Sequence, residues 1–178
     1  MKRKQILGII AILLILLVLV FQWSDDLFAP DTKKSKSGSA KPASGSSADV
    51  PFTYEGDLWF LRSEDDTISH VQIEVADDDY QRARGLMDRR TMDANKGMLF
   101  IFEREKMQSF YMRNTIISLD IIYVKANGEI DSIRKYTKPY SEESIPSEGK
   151  AQYVVEVNAG YCDQWDIKPG NLIKFNVN

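Results

Sequence analysis

The run Leu119-Asp-Ile-Ile-Tyr-Val124 is apolar at five of its six positions, with one carboxylate, Asp120, set inside it. Apolar residues at both phases of a period-2 pattern describe a strand covered on both faces, so this chain must pack material against each side of a sheet. Asp120 then lies on a covered face, where a carboxylate is costly unless it meets a cation or several hydrogen-bond donors. Arg84, Arg113 and Asn114 are the candidates of suitable kind. Upstream, Gly97-Met-Leu-Phe-Ile-Phe102 and Phe110-Tyr-Met-Arg-Asn-Thr115 repeat the theme of aromatic and methionine-rich segments interrupted by polar residues.

The remaining segments supply the rest of a sheet. Leu58–Leu61 is a short apolar run, and Val71, Ile73 and Val75 alternate with Gln72 and Glu74 as a half-buried strand does. Asp77 reads as the N-cap of a short helix, with Asp78 and Asp79 in its first turn and Tyr80, Ala83 and Leu86 or Met87 at helical spacing; Gly85 ends it. Met98–Phe102 and Met107–Met112 read as two strands separated by the charged turn Glu103–Lys106. Asn127-Gly128 suits a tight hairpin with both residues at positive φ, returning through Glu129–Tyr136. Thr137–Lys150, with Pro139 and Pro146, has no periodicity and reads as a surface loop. Tyr153–Val157 is the next buried strand, Asn158–Gly160 starts a short helix or turn, and Lys168-Pro-Gly-Asn171 is a type II turn leading to the last strand, Leu172–Val177. The expected fold is α+β and mostly β: a curled or closed, largely antiparallel sheet of seven to eight short strands with one or two short helices.

Two segments precede this domain. Lys2, Arg3 and Lys4 flank an unbroken apolar run from Ile6 to Phe21, followed by Asp25 and Asp26. Residues 1–23 read as an N-terminal membrane anchor or uncleaved signal, because Leu27-Phe28-Ala29 is a poor signal-peptidase site and no cysteine follows the run. Basic residues stay inside, so the C-terminal part is expected on the extracytoplasmic side, periplasmic or cell-surface; export after signal cleavage is the alternative. Residues 24–50, rich in Ser, Gly, Lys, Ala and Pro, read as a flexible linker. Residues 51–178 form the globular domain, with 16 basic and 22 acidic residues, a balance that argues against a nucleic-acid partner.

Familiar catalytic and metal-binding patterns are missing. The sequence has one cysteine, Cys162, and one histidine, His70, far apart, and it lacks a Gly-rich phosphate loop and a His/Cys ligand cluster. No metal and no cofactor is expected. Met87, Met92, Met98, Met107 and Met112 lack a dense ligand spacing and suit a core or a pliable apolar groove. Two carboxylates remain inside apolar strands, Asp120 and Glu156. The preferred reading is a tethered module that binds a small ligand, envelope component or partner protein, with Arg84, Met87, Met112, Arg113, Asn114, Asp120 and Glu156 as binding candidates. The rival is an envelope-polymer hydrolase with Asp120 and Glu156 as paired carboxylates, which requires the two to face each other across one cleft.

The segments Glu74-Val-Ala76, Arg82-Ala-Arg-Gly-Leu-Met-Asp-Arg89, Gly97-Met-Leu-Phe100, Phe110-Tyr-Met-Arg-Asn-Thr115, Leu119-Asp-Ile-Ile122 and Tyr153-Val-Val-Glu-Val-Asn-Ala-Gly160 together resemble the bacterial and archaeal domain of unknown function number 192. The resemblance spans Val71 to Val177. Tyr111 stands where that family usually has tryptophan, and Ser118 where it usually has proline. The resemblance implies a small, often exported or membrane-anchored domain without an agreed activity, and it implies that Arg84, Gly85, Met87, Met112, Asn114, Asp120, Glu156 and Gly160 belong to the family motif.

Overall fold

The structure, a computed structural model, describes residues 50–178. The anchor expected at residues 1–23 and, apart from Val50, the linker expected at 24–50 lie outside the described residues. The elements in chain order are β1 (Gly56–Ser63), β2 (Asp66–Ala76), α1 (Asp79–Arg84), β3 (Lys96–Phe110), β4 (Leu119–Val124), β5 (Ile130–Arg134), β6 (Ile145–Asn158), α2 (Tyr161–Gln164) and β7 (Leu172–Val177). The strands form one sheet in the order β5-β4-β6-β3-β2-β1-β7, antiparallel throughout except for the β2–β3 pair.

Its two edges meet. Glu129 bridges Leu172, and the amides of Ile130, Gly170 and Ile173 donate to the carbonyls of Asn171, Ile130 and Gly128 at 2.8–2.9 Å. This stitching curls the sheet and occupies edge groups that would otherwise pair with another chain. One apolar cluster, including Leu58, Val71, Leu99, Ile122, Ile130, Val155 and Ile173, takes a residue from every strand and fills the inside of the curl. A second, with Ala76, Leu86, Met98, Phe100, Met112, Ile121, Tyr123 and Val154, lies on the other face beneath the chain that follows α1. All six residues of β4 are buried, as its two-sided apolar pattern requires.

Several local expectations hold. Gly85 ends α1 with φ 47°, its N–H donating to Gln81 O at 2.8 Å. In the Lys168–Asn171 turn the Asn171 amide donates to Lys168 O and Gly170 takes φ 89°, as a type II turn requires.

Others change. The N-cap of α1 is Asp78: its carboxylate accepts from Gln81 N, and the Gln81 side chain accepts from Asp78 N. This reciprocal box favours a residue three positions before a glutamine, which Asp77 is not. Glu103–Lys106 does not turn the chain. It bulges outward within a single long β3, in which Ile101 faces Tyr153 and Lys106 faces Ala151 across β6. β6 begins at Ile145, inside the segment expected to be loop, because a second register shift between Met107 and Ser109 accommodates Pro146 and Gly149 in the strand. At Asn127-Gly128 only Gly128 has positive φ; its amide closes a turn onto Lys125 O, and Asn127 Oδ1 accepts from Glu129 N.

Candidate functional site

Strand parity separates the two carboxylates. On β4, Asp120 faces Val157 and Ile121 faces Glu156. Directly opposed residues share a face and successive residues alternate. Asp120 therefore lies on the inner face with Ile122 and Val157, and Glu156 lies on the outer face with Ile121 and Val154. The arrangement a two-carboxylate hydrolase would need is absent.

Asp120 is fully buried and occupied with the fold. Its Oδ1 accepts from Tyr136 N at 2.9 Å, and its Oδ2 from Gly160 N at 3.1 Å and Cys162 N at 3.0 Å. Gly160, at φ 86°, lets the first turn of α2 aim two amides at one oxygen. None of the expected partners, Arg84, Arg113 or Asn114, bonds to it; three backbone amides satisfy it instead. Burial and the neighbouring Asp120 push the Cys162 thiol well above its ordinary range, while His70 is exposed, stacked on Trp59 and bonded to Asp57 Oδ1 at 2.7 Å. The thiol and the imidazole do not form a pair.

Glu156 differs in every respect. It is 5% exposed, it has no hydrogen-bond partner among the described residues, and it lines a cleft of about 220 Å³ between α1, β3 and β6. Burial alone pushes its carboxyl up to about 8. At neutral pH it is thus a neutral acid, offering one O–H donor and an acceptor to whatever fills the space before it. A neighbour in the same cross-strand row shows the contrast. Glu74 and Glu156 both flank Met98, but Glu74 receives Arg89 Nη2 at 2.6 Å and Thr53 N at 2.8 Å.

The end of α1 lies close against Phe100 and Glu156 because Gly85 has no side chain. A Cβ there would lie 3.2 Å from Phe100 Cζ and 3.9 Å from Glu156 Oε2. Aromatic side chains form the walls, with Phe110 edge-on to Phe100 at 5.0 Å and to Phe102 at 6.5 Å. Arg82 is held by the carbonyls of Asp77 and Ile101 and by Asp79, and its guanidinium lies 5.4 Å from the Phe102 ring centre. Arg84, next along the lining, is exposed and has no ion pair among the described residues.

The remaining expected site residues scatter. Met87 lines the cleft and is half-buried. Met112 is buried in the outer core. Arg113 stacks 4.9 Å over Tyr111, which is itself part of the lining, and donates to its hydroxyl at 3.2 Å. Asn114 is an exposed turn residue at φ 57° whose carbonyl accepts from Asp88 N at 2.8 Å. Phe100, Phe102, Phe110 and Thr115 of the lining come from the two aromatic segments Gly97–Phe102 and Phe110–Thr115, though none is a binding candidate by sequence, since a wall aromatic and a core aromatic look alike there; Gln108, between those segments, carries no signal. Among the described residues no cluster of three or more His, Cys, Asp or Glu side chains is placed to hold a metal ion, and no helix is long and apolar enough to cross a membrane.

A curled, nearly closed sheet of seven strands with two short helices, and an aromatic-walled cleft over the buried, unpartnered Glu156, defines a small α+β domain. The chain belongs to the DUF192 family, described as uncharacterized ACR, whose model matches residues 60–175. The chain is similar to a Sinorhizobium meliloti 1021 protein provisionally described as a transcription regulator, at 31% identity, with 71% of this chain and 98% of the other covered and a TM-score of 0.66. It is also similar to a protein of unknown function from Novosphingobium aromaticivorans DSM 12444, at 28% identity, 82% and 99% coverage and a TM-score of 0.64. No curated protein matches the sequence.

Proposed function

We propose that this protein is a binding module held at the extracytoplasmic face of a membrane, and that its ligand is a small molecule seated in the Glu156 cleft. The observation that carries the reading is Glu156 itself: a nearly buried acid, unpartnered, lining an open aromatic cleft. An uncompensated polar group in a folded interior is costly, and a ligand that hydrogen-bonds to it recovers that cost on binding. Tethering is supported by the apolar run Ile6–Phe21 behind Lys2, Arg3 and Lys4.

Two experiments test the two halves. Amide-shift mapping of the full-length chain against a library of small fragments should collect perturbations at Gly85, Gln108, Thr115 and Glu156; a library that moves none of them refutes the cleft as a binding site. Cell fractionation should leave the intact chain in the alkali-washed membrane pellet, and protease added to permeabilised envelopes should digest the domain. Recovery of a shortened soluble chain would replace the anchor with a cleaved signal.

A further inference from the structure

We propose that the cleft selects a small monoanion with an apolar body, of the aryl or short-chain carboxylate class, its charged group at Arg84 and its far end against the Glu156 carboxyl. This rests on the cleft being a ligand site, as argued above, and adds the chemistry of the ligand. The domain as a whole is acidic, yet the mouth of the cleft is not. Arg82 and Arg84 line it, Lys106 Nζ lies 5.7 Å from the Phe102 ring, and Arg113 covers Tyr111. Asp79 is already engaged by Arg82 at 2.7 Å. Arg84 is the lining guanidinium without an ion pair among the described residues, exposed beside Gly85, where a Cβ would lie 3.9 Å from Glu156 Oε2. A guanidinium fork recognises a planar carboxylate through two parallel bonds.

A cationic ligand fits poorly on two counts. The Phe102 ring already carries two cations, Arg82 and Lys106, at its own cation-π distances. The acid on the floor supplies a countercharge only by giving up the proton that burial favours. The same neutral acid suits the uncharged end of a monoanion, which accepts its proton in a hydrogen bond.

The test is a binding comparison on the full-length chain in zwitterionic nanodiscs, with 4-hydroxyphenylacetate, whose phenol oxygen can accept from Glu156, its neutral counterpart 4-hydroxyphenylacetamide and the cation tyramine as probes. 4-Hydroxyphenylacetate should bind saturably, shifting the amides of Gly85 and Glu156. Arg84→Ala should weaken it by about tenfold or more, the loss of a charge-assisted pair. Glu156→Leu, which removes the hydrogen-bonding group from the floor, should weaken it by about fivefold or more, and undiminished binding overturns the placement of the uncharged end. Equal or tighter binding of tyramine or 4-hydroxyphenylacetamide at the same amides, or an Arg84→Ala variant that binds 4-hydroxyphenylacetate undiminished, overturns the anion class and leaves the cleft as a site. Silence of the cleft amides with all three probes overturns both.

Discussion

Replacing Glu156 by glutamine isolates the cost of burying an acid without a partner. In the folded state the carboxyl titrates near 8, against an ordinary glutamate value of 4.5. The sign follows from which state holds the proton. Between those two values the folded protein keeps a proton that the unfolded chain has released, so stability falls as pH rises, by about 1.4 kcal/mol per unit. The contribution is fully present below the unfolded value and is gone once pH has passed the folded one. From about pH 5 to about pH 7.5 the wild type should therefore lose about 3 kcal/mol relative to Glu156→Gln, which carries no charge at any pH. For a folded unit of this size that is a relative shift in Tm of about 10 °C. The assay is thermal and urea unfolding of both chains across that range. Other titrating groups cancel in the difference between the two. The variants should match within about 1 kcal/mol at the acid end, since glutamine mimics the protonated acid, and diverge as pH rises. Parallel stability curves for the two chains across the whole range would refute the assignment of Glu156 as a neutral, uncompensated acid.

Gly85→Ala should cost about 1–3 kcal/mol, because alanine must adopt φ 47° and its Cβ meets Phe100, and it should narrow access to Glu156; unchanged Tm and unchanged probe binding would contradict this. Asp120→Ala should leave three backbone amides without their acceptor and destabilise by more than about 3 kcal/mol, while folded variant at low temperature keeps cleft binding, as two-probe titration will read. Arg89→Met should cost about 3–5 kcal/mol by stranding the Glu74 carboxylate, and adding Glu74→Gln should recover part of it; a double variant no more stable than the single one would refute the buried pair. Cys162 should react with an aromatic disulfide reagent only at the rate of global unfolding, and rapid native-state labelling would overturn its burial.

What could be read from the sequence divides along the reach of the forces involved. The two-sided burial of Leu119–Val124, the stop at Gly85 and the Lys168–Asn171 turn are set by residues within a few positions, and each is visible there. The continuity of β3 past Glu103–Lys106 and the start of β6 at Ile145 depend on a partner strand some 35 to 50 residues away, which holds both segments in the sheet through paired register shifts. A charged quartet and a proline look like breakers until that partner is known. The site fails to show for the same reason. Asp120 and Glu156 look equivalent, each a carboxylate flanked by large aliphatic residues. The face each one takes is fixed by a register in which Asp120 meets Val157 rather than Glu156. Arg84 and Met87 reach the cleft because α1 is short and ends at Gly85, whereas Met112, equally apolar, is drawn into the core.

The opposite fates of the two carboxylates bear on what the cleft is for. Asp120 costs the fold a buried charge and returns three charge-assisted hydrogen bonds, which fasten the chain after β5 and the entry to α2 onto β4. Its presence is explained within the molecule. Glu156 has no such return. Its row-mate Glu74 shows that the same face supplies an arginine and a backbone amide when a carboxylate serves the fold, and none is supplied to Glu156. Filling the position with an aliphatic residue would remove the desolvation cost, and Ile121 directly opposite shows that the outer face accepts one. A neutral acid left open at the floor of an aromatic cleft, beside the helix end at Gly85, has no such account among the described residues, and that is what supports the proposed ligand site.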